Sequence, residues 1–362
     1  MDNNYGQYGG QKEPMPDVQP TPPPYYFPPD YVSPEEKKKI RKNYNSIGIT
    51  LLANYILGNV FVYAAVFIMV IAFGFETAHN ESGEMIVGTA EMIISSWLPA
   101  ITAAIVFVGY CIFTKYDPKE LFSTERLQAG EIFKYVLLVL FFQRVSIIIS
   151  MFISSFLYSL GFEVTAFDYV MSHDPQTYAA DFIAVVILAP IAEELIYRGV
   201  VLRCAAKVSG RFGIFFSAFM FGLMHGNPYQ CVLGFLIGIV LAMITLKTGS
   251  IIPSIICHMA NNLVASATTV IEYFDEALAD TLNILSIPLF FIIGIIVLLN
   301  MGLKGEIKFP PYTERHKKRT LPIMITSWSM ILVTIFFIIE TIQSIGPVTE
   351  PIEEAVRILI KQ

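Results

Sequence analysis

Residues 284–302, ILSIPLFFIIGIIVLLNMG, run for nineteen positions without one ionisable side chain. As an α-helix rising about 1.5 Å per residue, the run is about 28 Å long, close to the roughly 30 Å hydrocarbon core of a bilayer. In lipid a helix satisfies its backbone polar groups internally, so such a run reads as a membrane span. Eight more apolar runs lie at 47–74, 91–113, 133–160, 179–200, 212–226, 229–246, 251–271 and 321–343. Composition agrees, with 54% hydrophobic residues and 15% charged, against about 25% charged in soluble domains. The mean hydropathy is +0.59. The sequence predicts an all-α fold, a polytopic membrane helix bundle of about 8–9 transmembrane helices.

The basic residues orient the bundle, because short cytoplasmic loops retain Lys and Arg. With the N-terminus cytoplasmic, all but four of the 24 Lys and Arg fall on that side, in clusters such as Lys37, Lys38 and Lys39 or Lys317, Lys318 and Arg319. The exceptions are Lys134 and Arg144 in the third run, and Arg357 and Lys361 beyond the last. The longer outward loops carry acids instead, among them Glu76, Glu84, Asp168, Asp174, Asp275 and Asp280. A net charge of −6 leaves no basic surface field, which excludes nucleic acid as a partner. The order of the fifth and sixth runs is the weak point, since only Gly226, Asn227 and Pro228 separate His225 from Tyr229.

Residues 1–36 are rich in Pro, Gly and Tyr and read as a disordered cytoplasmic tail with no apolar segment of the signal-peptide kind. The remainder divides into N-terminal transmembrane helices over 37–177, a bundle over 178–270 that holds most of the intramembrane polar residues, and C-terminal helices with a short tail over 271–362. Cys111, Cys204, Cys231 and Cys257 stand singly in apolar surroundings without CxxC spacing, so neither a metal clamp nor a disulfide framework is expected.

An ionisable side chain deep in a span costs about 2.5–3.5 kcal/mol on the insertion scale and needs a partner or a function. Glu193 and Glu194 stand in VVILAPIAEELIYRGVV, His225 in FSAFMFGLMHGNP, and His258 with Asn261 and Asn262 in GSIIPSIICHMANNLVAS. Adjacent helical residues point about 100° apart, so the two glutamates serve different faces. Glu194 and Arg198, at i and i+4 with the acid first, suit a structural ion pair and leave Glu193 as the free carboxylate, a candidate general base. Pro190 lacks the N–H that bonds the carbonyl of Val186 in a regular helix, and a kink is expected there. His258 and Asn262, also at i and i+4, share a face and can aim two donors at one developing oxyanion, or simply hydrogen-bond across helices.

Three polar clusters on three spans, Glu193-Glu194-x-x-x-Arg198, Phe221-x-x-x-His225 and His258-x-x-x-Asn262, resemble the motifs of the CAAX protease and bacteriocin-processing family of intramembrane proteases. The likeness covers about residues 178–270. It implies a CAAX-type intramembrane endopeptidase of the hydrolase class in which Glu193 and His225 activate water and His258 and Asn262 hold the oxyanion, with Glu194, Arg198 and Phe221 as structural support. Members are often labelled metalloproteases, and Glu193, His225 and His258 are the set that would ligate a single zinc ion. No HExxH is present, and Asn262 beside His258 favours the metal-free chemistry.

The expected partners are the lipid bilayer and a membrane-embedded or lipidated peptide substrate, and the expected setting is a bacterial plasma membrane. Two other classes stay open: a catalytically silent scaffold or bacteriocin self-immunity protein, and a proton-coupled transporter. One tension accompanies the nine-span reading. His225 falls near the outer end of its run while Glu193 and His258 lie nearer the inner side, a depth difference of roughly 10 Å that tilt or irregular helix must recover.

Overall fold

Ser33 opens the first helix as its cap. The hydroxyl accepts from the N–H of Glu36 at 3.1 Å, Pro34 takes the first helical position, and Glu35 and Glu36 sit at the positive end of the helix dipole. The computed structural model describes residues 33–74, 78–80, 85–126, 128–165, 169–172, 174–207, 209–307 and 322–348. The tail expected over 1–36 therefore lies outside the described residues as far as 32, and its last residues belong to the helix that Ser33 caps. The C-terminal tail after 348 and the basic segment 308–321 also lie outside them.

Nine main helices follow among the described residues, one for each apolar run: α1 (Pro34–Phe73), α2 (Thr89–Thr114), α3 (Ala129–Ser159), α4 (175–206), α5 (Gly210–Leu223), α6 (Pro228–Thr248), α7 (Ile252–Phe274), α8 (Glu276–Leu303) and α9 (Trp328–Gln343). Six of them, α1, α2, α3, α6, α7 and α8, are long and apolar enough to cross a membrane. The helices α5 and α9 are shorter, with 14 and 16 residues, and α4 changes register along its length. The fold is an all-α polytopic bundle. Short strands join its connections at one end: β1 (Ala78–His79), β2 (Met85–Val87) and β4 (Tyr169–Met171) form one sheet, and β3 (Phe162–Val164) pairs antiparallel with β5 (Ile345–Pro347).

The surface is apolar where a soluble protein's is polar. Phe67, Ile71, Phe113, Phe152, Ile292 and Leu299 are all exposed, and in a bilayer these side chains face lipid. The buried centre lies among α4, α5, α6 and α7, where Tyr197, Val200, Val201, Phe221, Leu241 and Cys257 are buried.

α5 and α6 form an antiparallel hairpin, in which only α6 is long enough to cross a membrane. Small residues let the two backbones approach closely. A Cβ on Gly222 would lie 2.4 Å from the carbonyl oxygen of Cys231, and one on Gly238 would lie 3.0 Å from Cα of Ala218. Between the helices Gly226 turns the chain with φ 68°, and Asn227 caps α6 by accepting from Gln230 N at 2.9 Å. At the start of α4, Asp174 accepts from the backbone N–H groups of Gln176 and Thr177 and from the Thr177 hydroxyl, and these bonds hold its carboxyl down at about 2.

Two outcomes follow from this packing. Gly222→Leu forces apart backbones already in contact and lowers stability by about 1–3 kcal/mol in thermal unfolding of the detergent-solubilised protein. The contribution of the Asp174 cap is present above the ordinary Asp value of 3.8 and is lost as pH falls through about 2. Asp174→Asn removes that part of the acid sensitivity, read as amide exchange at Gln176 and Thr177.

Candidate active site

The register of α4 sets the site. Pro175–Phe182 is α-helical, Ile183–Leu188 is π-helical, Ala189–Glu194 returns to α, and Leu195–Leu202 is π-helical again. π turns of this kind occur frequently at functional sites. The N–H of Ala189 donates to the carbonyl of Ala184, five residues back. In that register the next carbonyl, Val185, looks to Pro190, which has no N–H. The carbonyl freed by Pro190 is thus that of Val185 rather than the expected Val186, and Asn262 of α7 satisfies it, donating from Nδ2 at 2.8 Å. Asn262 in turn accepts from Asn261 Nδ2 at 3.0 Å through its own Oδ1. Asn262 therefore ties α7 to α4, with one of its two amide hydrogens already committed.

Within the α-helical insert the two glutamates part as neighbouring helical residues must. Glu194 is fully buried, its Oε1 lying 2.8 Å from Arg198 Nη1, itself fully buried. The same oxygen lies 3.1 Å from His258 Nδ1. A carboxylate only accepts, so the proton of that bond belongs to Nδ1. The other imidazole nitrogen, Nε2, faces Glu193 Oε2 at 3.6 Å, beyond hydrogen-bond length, and the Glu193 side chain keeps 23% of its surface. Arg198 also donates from Nη2 to the carbonyl of Gly238 at 3.3 Å and lies 4.4 Å from the centre of the Phe221 ring. Phe221 is therefore a floor to the cluster, with its ring edge-on to His258 at 5.6 Å and to His225 at 5.2 Å.

His225 follows the last turn of α5. Its Nδ1 lies 2.8 Å from the carbonyl of Phe221 and 3.3 Å from that of Gly222. Carbonyls only accept, so Nδ1 carries a proton, and in the neutral ring Nε2 is left with a lone pair. Space for the ring comes from Gly234, where a Cβ would stand 3.2 Å from His225 Nδ1 and Cε1. The helix α5 ends at Leu223, and Phe221 of its last turn stands against both imidazoles.

The structure thus groups Glu193, Glu194, Arg198, Phe221 and His258 in direct contact, joins His225 to them through Phe221, and places Asn262 one helical turn beyond His258. Sequence spacing does not show that Glu194 bonds His258, since 64 residues separate them, nor that Gly234 makes room for His225 and the carbonyl of Gly238 accepts from Arg198. Among the described residues no group of three His, Cys, Asp or Glu is arranged to hold a metal ion. Glu193 Oε2 and His258 Nε2 stand 3.6 Å apart with Glu194 behind Nδ1, a spacing that two ligands of one ion could share, but His225 does not join them in such a group. A cavity of about 110 Å³ lies elsewhere, between α3 and α6, against Gln143, Ser146, Ser150, Tyr229 and Gln230.

Residues 175–264 match a family model described as "Type II CAAX prenyl endopeptidase Rce1-like". The matched segment runs from the first turn of α4 into α7 and contains every residue of the cluster; α1, α2, α3, α8 and α9 lie outside it. No curated protein and no solved structure matches the chain.

Arg198→Ala strips the buried Glu194 carboxylate of its cation and costs about 3–5 kcal/mol in thermal unfolding. Replacing both partners by Leu and Met of similar volume costs less than the single change, since no charge is then left uncompensated.

Proposed function

We propose that this chain, whose residues 175–264 match the model of the Rce1-like type II CAAX prenyl endopeptidases, hydrolyses a peptide bond in a membrane-associated or lipidated substrate through Glu193, His225, His258 and Asn262. The observation that carries the reading is His258, pinned through Nδ1 to a fully buried Glu194 with Nε2 turned toward the partly open Glu193. The residues 178–270 form the catalytic bundle in this reading, with the flanking helices as its support. The distribution of basic residues favours a cytoplasmic N-terminus.

In the proposed reaction a water lies between Glu193 and Nε2 of His225. The carboxylate takes its proton, the His225 lone pair orients it by accepting a second hydrogen bond, and the oxygen attacks the scissile carbonyl carbon. The carbonyl oxygen becomes an oxyanion. A protonated His258 is suited to receive it, because Glu194 neutralises the imidazolium from Nδ1 while Nε2–H points into the site. The uncommitted amide hydrogen of Asn262 supplies a second donor. When the intermediate collapses the C–N bond breaks and the proton held by Glu193 passes to the leaving nitrogen, giving an amine and a carboxylic acid whose remaining proton, the second of the water, passes to Nε2 of His225 and on to solvent. No step is routed through a metal, because the candidate ligands do not converge on a common point.

The test is cleavage of a quenched-fluorescent farnesylated peptide ending in a CAAX sequence by the purified full chain in lipid nanodiscs. Glu193→Gln and His258→Ala lower kcat by a factor on the order of 10³, with thermal stability of Glu193→Gln near wild type. Asn262→Ala lowers kcat by about tenfold to a hundredfold and also loosens the α4–α7 contact. Wild-type cleavage survives exhaustive chelation. Unchanged cleavage by Glu193→Gln, or its loss on chelation with recovery on added zinc, contradicts this mechanism.

A further inference from the structure

The helix α3 carries three hydrogen-bonding side chains on one face, Gln143, Ser146 and Ser150, inside an apolar run long enough to cross a membrane. All three are buried, and with Tyr229, Gln230 and Leu233 of α6 they line the cavity of about 110 Å³ between the two helices. Polar groups at this depth need partners, since lipid offers none. The packing does not supply one to Gln143. That residue keeps only 3% of its surface, and its side-chain amide, Oε1 included, finds no hydrogen-bond partner among the described residues. Ser146 donates its hydroxyl hydrogen to the carbonyl of Gln143 at 2.6 Å, which leaves its oxygen free to accept.

The size and chemistry of the cavity suit water. A bound water needs about 10–15 Å³ and two to four polar partners, so this volume takes several. The lining offers amides and hydroxyls but no charged side chain, which disfavours an ion. Its ends lie at different depths: Gln143 stands near the middle of α3, whereas Gln230 belongs to the first turn of α6 and is exposed, forming the mouth. The cavity also reaches the hairpin that carries His225. Tyr229 follows His225 by four residues, across the Gly226 turn, and Leu233 directly precedes Gly234, where the lack of a side chain leaves space for the His225 ring.

We propose that the cavity between α3 and α6 is a water-binding site and the store from which the hydrolytic water reaches Glu193 and His225. Hydrolysis consumes water at every turnover, and among helices that face lipid this water has to be held by groups of the protein. The inference rests on the reading of the chain as a peptide-bond hydrolase. It adds the source of the water and gives α3, which lies outside the matched segment, a part in the reaction.

Two measurements on the full chain in nanodiscs test it. The first needs no substrate: hydroxyl radicals made from water by an X-ray pulse oxidise side chains that lie against water, and mass spectrometry reads the oxidised positions. In the wild type Tyr229, Leu233 and His225 are oxidised, while Phe152, exposed on the lipid-facing surface, stays at background. Gln143→Leu, which keeps the size and removes the amide, lowers the oxidation of all three by about threefold or more. Ser150→Val lowers it too, and Ser150→Thr, of the same size but with the hydroxyl kept, lowers it less. This pair serves the same test should Gln143→Leu fail to fold. The second measurement is cleavage of the farnesylated CAAX peptide, in which Gln143→Leu lowers kcat on the order of tenfold with KM within about twofold. Tyr229 and Leu233 at the background of Phe152 in the wild type overturn the proposal, as does His225 oxidation that persists at the wild-type level in Gln143→Leu. A raised KM with unchanged kcat in that variant also overturns it and marks the cavity as a subsite for the peptide chain. Failure of the wild type to cleave the peptide counts against the substrate reading alone, since the oxidation pattern still decides whether the cavity holds and supplies water.

Discussion

One carboxylate oxygen, Glu194 Oε1, joins the parts of this molecule. It lies within bonding distance of Arg198 on its own helix and of His258 on α7, and all three side chains are buried. An ion pair taken out of water depends on the partners its remaining groups find, and here Arg198 spends a second nitrogen on the carbonyl of Gly238 and its face on Phe221, while Arg198 Nε and Glu194 Oε2 are buried without a hydrogen-bond partner among the described residues. The arrangement therefore reaches α4, α5, α6 and α7 at once. Its consequence for chemistry is tautomeric: with Nδ1 of His258 committed to Glu194, only Nε2 is available to the site.

The bilayer imposes the second constraint. With no water to take up stray backbone groups, a proline inside a membrane helix obliges some neighbour to supply a donor. Asn262 fills that role for Val185, and the exchange fixes the lateral position of α7 against α4. The same residue is a candidate oxyanion donor, so the structural bond and the proposed chemical one draw on the two hydrogens of a single amide. Catalytic geometry and helix packing are in this sense one problem, solved by the same side chains.

Much of the fold was legible because apolar run length is a physical necessity in a membrane; each run between 47 and 343 has its helix. The start of α1 was not, since the Pro-rich composition before it obscures the Ser33-Pro34-Glu35-Glu36 capping signal. The pairing of Glu194 with Arg198 follows from local spacing on one helix. The contact of Glu194 with His258 and the π register of α4 depend on long-range packing, which no local spacing encodes. A zinc trio was equally readable from residue types, and geometry alone separates it from the arrangement found.

The central claim is that the buried Glu194 carboxylate fixes the protonation and aim of His258. Nitrogen NMR of the histidine-labelled protein measures this directly. The account predicts that His258 Nδ1 carries a hydrogen-bonded proton and that its resonance shifts in Glu194→Gln while that of His225 stays in place. An unprotonated Nδ1 in the wild type, or a His258 signal indifferent to Glu194→Gln, would contradict it.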